Sequence, residues 1–78
     1  MTVGAGRPAL REQLEALVAE MVARGILYED GRREFELRYV ARALEVADGS
    51  VSAAAERIGL HRNTLRRKIV EYRLKVRR

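Results

Sequence analysis

The residues able to do chemistry in this 78-residue chain crowd into one stretch, HRNTLRRKI at residues 61–69, followed by Arg73, Lys75, Arg77 and Arg78. Arginine presents a planar fork of donors that fits phosphate oxygens and the O6/N7 edge of guanine, and lysine presents a point charge. Asn63 adds an amide able to pair with adenine. Together they describe a surface for a polyanion. Other chemistry lacks its parts. A single histidine, His61, and no cysteine leave neither a set of metal ligands nor a nucleophile with its base. No Gly-rich phosphate loop precedes a helix, and the acidic residues fall at solvent-facing helix positions. No catalytic residue, metal, cofactor or small-molecule substrate is therefore expected.

A helix must position these cations. Leu65 and Ile69, four apart, form its inward stripe, which turns Arg62, Asn63, Arg66, Arg67 and Arg73 outward and Lys68 toward one flank. From Leu60 to Leu74 the only acidic residue is Glu71, whereas a solvated helix normally mixes signs. Arg62, in the first turn, is best placed to reach guanine. Arg66 and Arg67 divide between groove edge and phosphate, and Lys68 and Arg73 read as backbone contributors. Thr64 bonds either a phosphate or its own helix turn, and His61 is either a contact or a solvated turn residue. Just upstream, Ser50 suits the N-cap of a helix over Val51 to Ile58, in which Ala53, Ala54 and Ala55 let a neighbouring backbone approach closely. Gly59 fits a turn and Leu60 plugs the angle between the two helices. This is helix-turn-helix spacing. The exposed N-terminus of the first of the two makes Ser50 and Ser52 candidate phosphate anchors, and Ser50 can cap and anchor at once.

The residues before position 49 serve another purpose. Leu10, Leu14, Leu17, Val18, Met21 and Val22 recur at spacings of three and four, which predicts a helix with Pro8 in its first turn and an end near Arg24 and Gly25. A second helix runs to about Ala47, with Gly49 placed to stop it. Its start lies either near Tyr28, with Gly31 tolerated at about 1 kcal/mol relative to Ala, or at Gly31 after an Asp30 cap; the earlier start is preferred. Phe35, Leu37, Tyr39, Val40, Ala43, Leu44, Val46 and Ala47 cover more of its circumference than one partner needs. A second copy of the chain is the economical partner, a central helix in a monomeric bundle the alternative. The expected dimer interface is Leu14, Leu17, Val18, Met21, Phe35, Tyr39, Val40, Ala43 and Leu44.

Charge follows the same division. Residues 1–48 hold seven Lys/Arg against nine Asp/Glu, and residues 49–78 hold nine against two, so the net charge of +5 comes from the last third. A chain this short buries only about 60% of the surface its unfolded form exposes, and without disulfide or metal, oligomerisation is the remaining means of stabilising it. No long apolar run and no basic-then-apolar leader is present, so a soluble cytoplasmic protein with no membrane partner is expected. The organisation expected is a disordered leader over 1–7, dimerisation helices over 8–48, and a helix-turn-helix with basic tail over 49–78.

SVSAAAERIGLHRNTLRRKI resembles the C-terminal helix-turn-helix of the Fis family and of NtrC-type activators, in which a run of small residues is followed by Gly-aliphatic-polar-Arg-x-Thr-Leu and basic residues. Gly59, Leu60, His61, Arg62, Thr64, Leu65, Arg66, Arg67 and Lys68 match that pattern position by position, and the likeness extends back to Leu27. The resemblance implies an all-α fold of four helices per chain in an intertwined homodimer, with the first two helices as dimer core and the last two as the unit that binds double-stranded DNA. It further implies recognition helices in adjacent major grooves, closer together than one helical turn of B-DNA, so the DNA bends between them. The role implied is that of a transcriptional regulator or a nucleoid-associated protein.

Three departures bear on this. Only about seven residues precede the first helix where Fis has a mobile hairpin arm, so activity on recombinases is expected to be absent. His61 replaces the usual Ser or Asn cap, which predicts a weaker start to the recognition helix. Arg38 replaces a helix-bending proline, which predicts a straighter second helix. With no ATPase or receiver domain in the chain, repression or architecture is expected rather than NtrC-type activation. Two other classes compete: a small dimeric adaptor whose basic tail docks an acidic protein, and a membrane binder using a basic amphipathic last helix. The latter lacks Trp and Phe in that helix.

Overall fold

A computed structural model describes residues 8–76. The expected leader at 1–7 and the terminal Arg77 and Arg78 lie outside the described residues. Four helices follow in order: α1 (Leu10–Ala23), α2 (Tyr28–Val46), α3 (Val51–Ile58) and α4 (Arg62–Tyr72). No strand occurs among the described residues. The all-α reading, the earlier start of α2 and the bounds of α3 agree with the sequence. Pro8 differs: it precedes the N-cap, Ala9, so the helix starts two residues beyond it, at Leu10. Ala9 has no side-chain cap, and the Gln13 amide instead reaches back to the Pro8 carbonyl at 2.8 Å.

One device ends all four helices. A residue in the left-handed region follows the last turn, its N–H donates three residues back, and the next N–H donates five residues back. In α1 these are Gly25 to Val22 (3.0 Å) and Ile26 to Met21 (3.1 Å), and in α3 they are Gly59 to Glu56 (3.3 Å) and Leu60 to Ala55 (2.9 Å). In α2 Asp48 (φ 61°) takes the left-handed position ahead of Gly49 (φ 86°), so the stop begins one residue earlier than the glycine predicts. Aspartate is among the few non-glycine residues that tolerate this conformation. At the end of α4 it is Arg73 (φ 55°), with Leu74 N–H reaching Ile69.

The chain divides between Gly31 and Arg32 into two compact units. The first comprises α1, its turn and the first residues of α2. No side chain of α1 is buried; Leu10, Leu14, Leu17, Val18 and Val22 all stand in solvent, Leu17 at 55% exposure. Gly31 is buried here, and a Cβ on it would lie 2.7 Å from the Met21 Cε. The glycine leaves room for the end of the Met21 side chain, a flexible group that could shift to admit a methyl.

The second unit holds the core. Val40, Ala43 and Leu44 of α2 pack with Ala54 and Ala55 of α3 and with Leu65 and Ile69 of α4, and Ala47, Val51, Ile58, Leu74 and Val76 close the rim. The alanines matter because a small side chain permits the close helix approach that Leu65, fully buried, then fills. This corrects part of the expected dimer interface. Val40 (2% exposed), Ala43 and Leu44 (3%) are covered by the chain's own α3 and α4, so no surface of theirs remains for a partner. The second unit begins inside α2, at Arg32. Leu74 and Val76 pack against the core once Arg73 has turned the chain out of α4.

Candidate nucleic-acid interface

The helix pair is set by its caps. The Ser50 Oγ accepts from the Ala53 N–H at 3.2 Å, so its hydroxyl serves the N-terminus of α3, while Ser52, in the first turn of that helix, is exposed. His61 does the same for α4 by another route: its Nδ1 accepts from the Asn63 N–H at 3.0 Å. The expected weakening of the recognition helix is thereby corrected, since an imidazole nitrogen supplies the acceptor that Ser or Asn would have given. With Nδ1 accepting, the ring proton sits on Nε2, and the exposed ring carries a donor at the mouth of the helix pair.

Outward from the core, α4 presents Arg62, Asn63, Arg66 and Arg67, all exposed, with Arg73 exposed just past its end and Thr64 half-buried. Asn63 and Arg66 are not independent. The Asn63 Oδ1 accepts from the Arg66 Nη1 at 3.2 Å, which orients the guanidinium and engages one lone pair of the oxygen that adenine recognition would use. This arrangement favours Asn63 as a support for Arg66 over Asn63 as a reader of adenine.

Lys68 is placed differently from its expected role at the DNA backbone. Its Nζ lies 2.5 Å from the Glu36 Oε2, and the two side chains are only 24% and 21% exposed. Glu36 also accepts from the Tyr72 hydroxyl and, at 3.1 Å, from Arg32. Lys68 is thus held against α2 and faces away from the outward cations. The hydrogen bonds from Lys68 and then Tyr72 keep the Glu36 carboxyl below its ordinary value, against a smaller opposing effect of burial. The same bond raises the Tyr72 phenol above its usual range, because ionising it would set two anions side by side. Sequence reading missed Glu36 and Tyr72: Glu36 has Arg32 four residues before it, the pattern of a solvated helix pair, and its decisive partners are more than thirty residues away. No local pattern marks such a contact.

Among the described residues no group of acidic, histidine or cysteine side chains could hold a metal, and no helix is long and apolar enough to cross a membrane. The site's assets are charge and shape. Residues 31–72, more than half of the chain, match the profile of the bacterial regulatory proteins of the Fis family. The chain belongs to that family. The match runs through α2, α3 and α4, so the helix pair is a Fis-type helix-turn-helix and the protein a DNA-binding regulator of the Fis/NtrC type. No curated protein and no solved structure matches it. The Fis family is a family of DNA-binding regulators rather than enzymes, in keeping with a surface whose reactive side chains are guanidinium groups.

Proposed function

We propose that the protein is a homodimer that binds double-stranded DNA with sequence preference, setting α4 of each subunit into successive major grooves and bending the duplex between them. The observation that carries this reading is the division of labour on α4: Leu65 and Ile69 are buried while Arg62, Arg66 and Arg67 are all exposed on a helix with a complete core behind it. In this reading Arg62 contacts a guanine edge, Arg66 reads a base with Asn63 as its support, and Arg67, Thr64, Ser52, the Ser50 end of α3 and Arg73 meet phosphates. His61 donates from Nε2 to the backbone or a base edge.

The dimer is supported by the apolar side chains left in solvent, namely Leu14, Leu17, Val18, Phe35 and Tyr39, with Met21 half-exposed. So many large apolar groups on one small chain are unfavourable in water and are offset by a second copy. The protein then works in the cytoplasm on the nucleoid, as a site-specific regulator or as an architectural protein.

Selection from random duplexes, followed by binding as a function of salt, tests the reading. A sharp two-fold consensus supports a regulator and a shallow AT-biased one an architectural protein. Absence of binding to every duplex at low salt removes the proposal, and binding with no preference at all favours the adaptor reading. A bound duplex that migrates as straight in circular-permutation electrophoresis removes the bending.

A further inference from the structure

We infer that Val70 is a specificity-determining residue that reads the C5-methyl group of a thymine in the major groove; the inference rests on the DNA-binding reading proposed above. Asn63, Arg66, Arg67 and Val70 stand at i, i+3, i+4 and i+7 of α4 and share one stripe, on the side of the helix away from Leu65 and Ile69. Within that stripe Val70 is 77% exposed, and it takes no part in the hydrophobic core. It borders a shallow, open depression with Arg66, Arg67 and Glu71, so two guanidinium groups and one carboxylate flank the isopropyl group.

Folding gives no reason for this residue. A β-branched side chain at an exposed helix position is a poorer helix former than Lys, Arg or Ala, and Val70 gains no packing in return. The groove does give one. Base edges in the major groove offer hydrogen-bond donors and acceptors, and thymine alone adds a methyl group to them. Against that methyl an isopropyl group sheds water from two apolar surfaces; over an amino, carbonyl or N7 atom it strips water from a polar group and offers it no partner. The Arg66 guanidinium, one turn before Val70 and braced by Asn63, supplies a polar contact in the same half-site.

The test uses the full chain and a duplex taken from the selection described above. Each thymine of a half-site is replaced in turn by deoxyuridine, which removes one methyl and leaves the hydrogen-bonding pattern intact, and dissociation constants are measured by fluorescence anisotropy. At one thymine the wild-type protein should lose affinity roughly threefold to fivefold, the worth of one buried methyl. Val70→Ser should bring the thymine/deoxyuridine ratio at that position to one and leave the ratios elsewhere unchanged. Circular dichroism of the variant, whose substituted side chain is in solvent, confirms the fold. A wild type indifferent to every replacement overturns the inference while the DNA-binding reading stands, and so do ratios that are the same in Val70→Ser and wild type. Failure to bind any duplex overturns both.

Discussion

α1 and the helix-turn-helix are built from similar numbers of large apolar side chains, yet they stand at opposite ends of burial. No side chain of α1 is buried, whereas α2, α3 and α4 enclose a core in which Ala54 and Leu65 are fully covered and Val40, Leu44 and Ala55 nearly so. Both carry helical periodicity, so periodicity alone does not distinguish a face that is covered within the chain from one that is left in solvent. What distinguishes them is the company. The DNA-binding unit has three helices and small residues at the crossing, while α1 is a single amphipathic stripe with one methionine settled over Gly31. The helix-turn-helix and α2 thus enclose their own core, whereas the apolar stripe of α1 stays in solvent.

That contrast can be broken most severely at Leu65. Leu65→Ala removes side-chain atoms from a fully enclosed site and should cost about 2–5 kcal/mol, enough to unfold a domain of this size; denaturant unfolding followed by circular dichroism reads it. The destabilisation should be the same at low and high protein concentration. A change of less than about 1 kcal/mol would mean that the helix-turn-helix is not self-sufficient.

Tyr39→Asp attacks the other side of the comparison. Tyr39 is half in solvent and stacks in a tilted pair with Phe35, ring centroids 5.3 Å apart, so a charge there leaves the chain's own core untouched. Helical signal should persist while sedimentation shows the dimer weakened by at least about tenfold, or about 1.4 kcal/mol. An unaltered dimer would move the interface away from this patch.

Glu36→Gln is expected to cost about 1 kcal/mol at neutral pH, because an amide accepts more weakly from Lys68 and Tyr72 than a carboxylate does. The pH dependence has a definite sign. The folded-state value of Glu36 is lowered, so its stabilisation is present above its ordinary value of 4.5 and lost as pH falls through the depressed one. Tyr72 is raised above 10.0, so its share is present below that value and lost as pH rises through the folded-state one. Stability curves of wild type and variant should therefore converge in acid. Parallel curves down to the lowest pH would detach Glu36 from α4.

The smallest effect separates two neighbouring cations. Arg67→Ala should reduce the slope of log K against log salt by about 0.9 for each phosphate that the arginine neutralises. Lys68→Ala should leave that slope unchanged and lower the melting temperature instead, since its charge faces Glu36. Equal slopes for both variants would return Lys68 to the DNA surface.

Much of the fold was legible because its signals are local. Ser50, Gly59 and the alanine run fix α3 and its turn within a few residues, and the Leu65/Ile69 spacing fixes which side of α4 faces out. The exposure of the candidate site was legible to the same extent: Arg62, Arg66 and Arg67 stand outward where periodicity put them. Three features were not. Val40, Ala43 and Leu44 read as interface because an apolar helix face does not say whether its cover comes from the same chain. Lys68 read as a phosphate contact because its partner lies on another helix. His61 read as a poor cap because propensity records the residue type and not the direction of its Nδ1.

The sequence by itself determined the four helices, the segregation of cations into the last third and the helix-turn-helix, since each depends on spacing and charge within a few turns of chain. Only the tertiary structure decided which apolar residues are already covered, which lysine is neutralised and which aliphatic side chain stands uncovered among arginines. Those outcomes depend on distances between residues far apart in sequence, and a linear pattern carries no such distances.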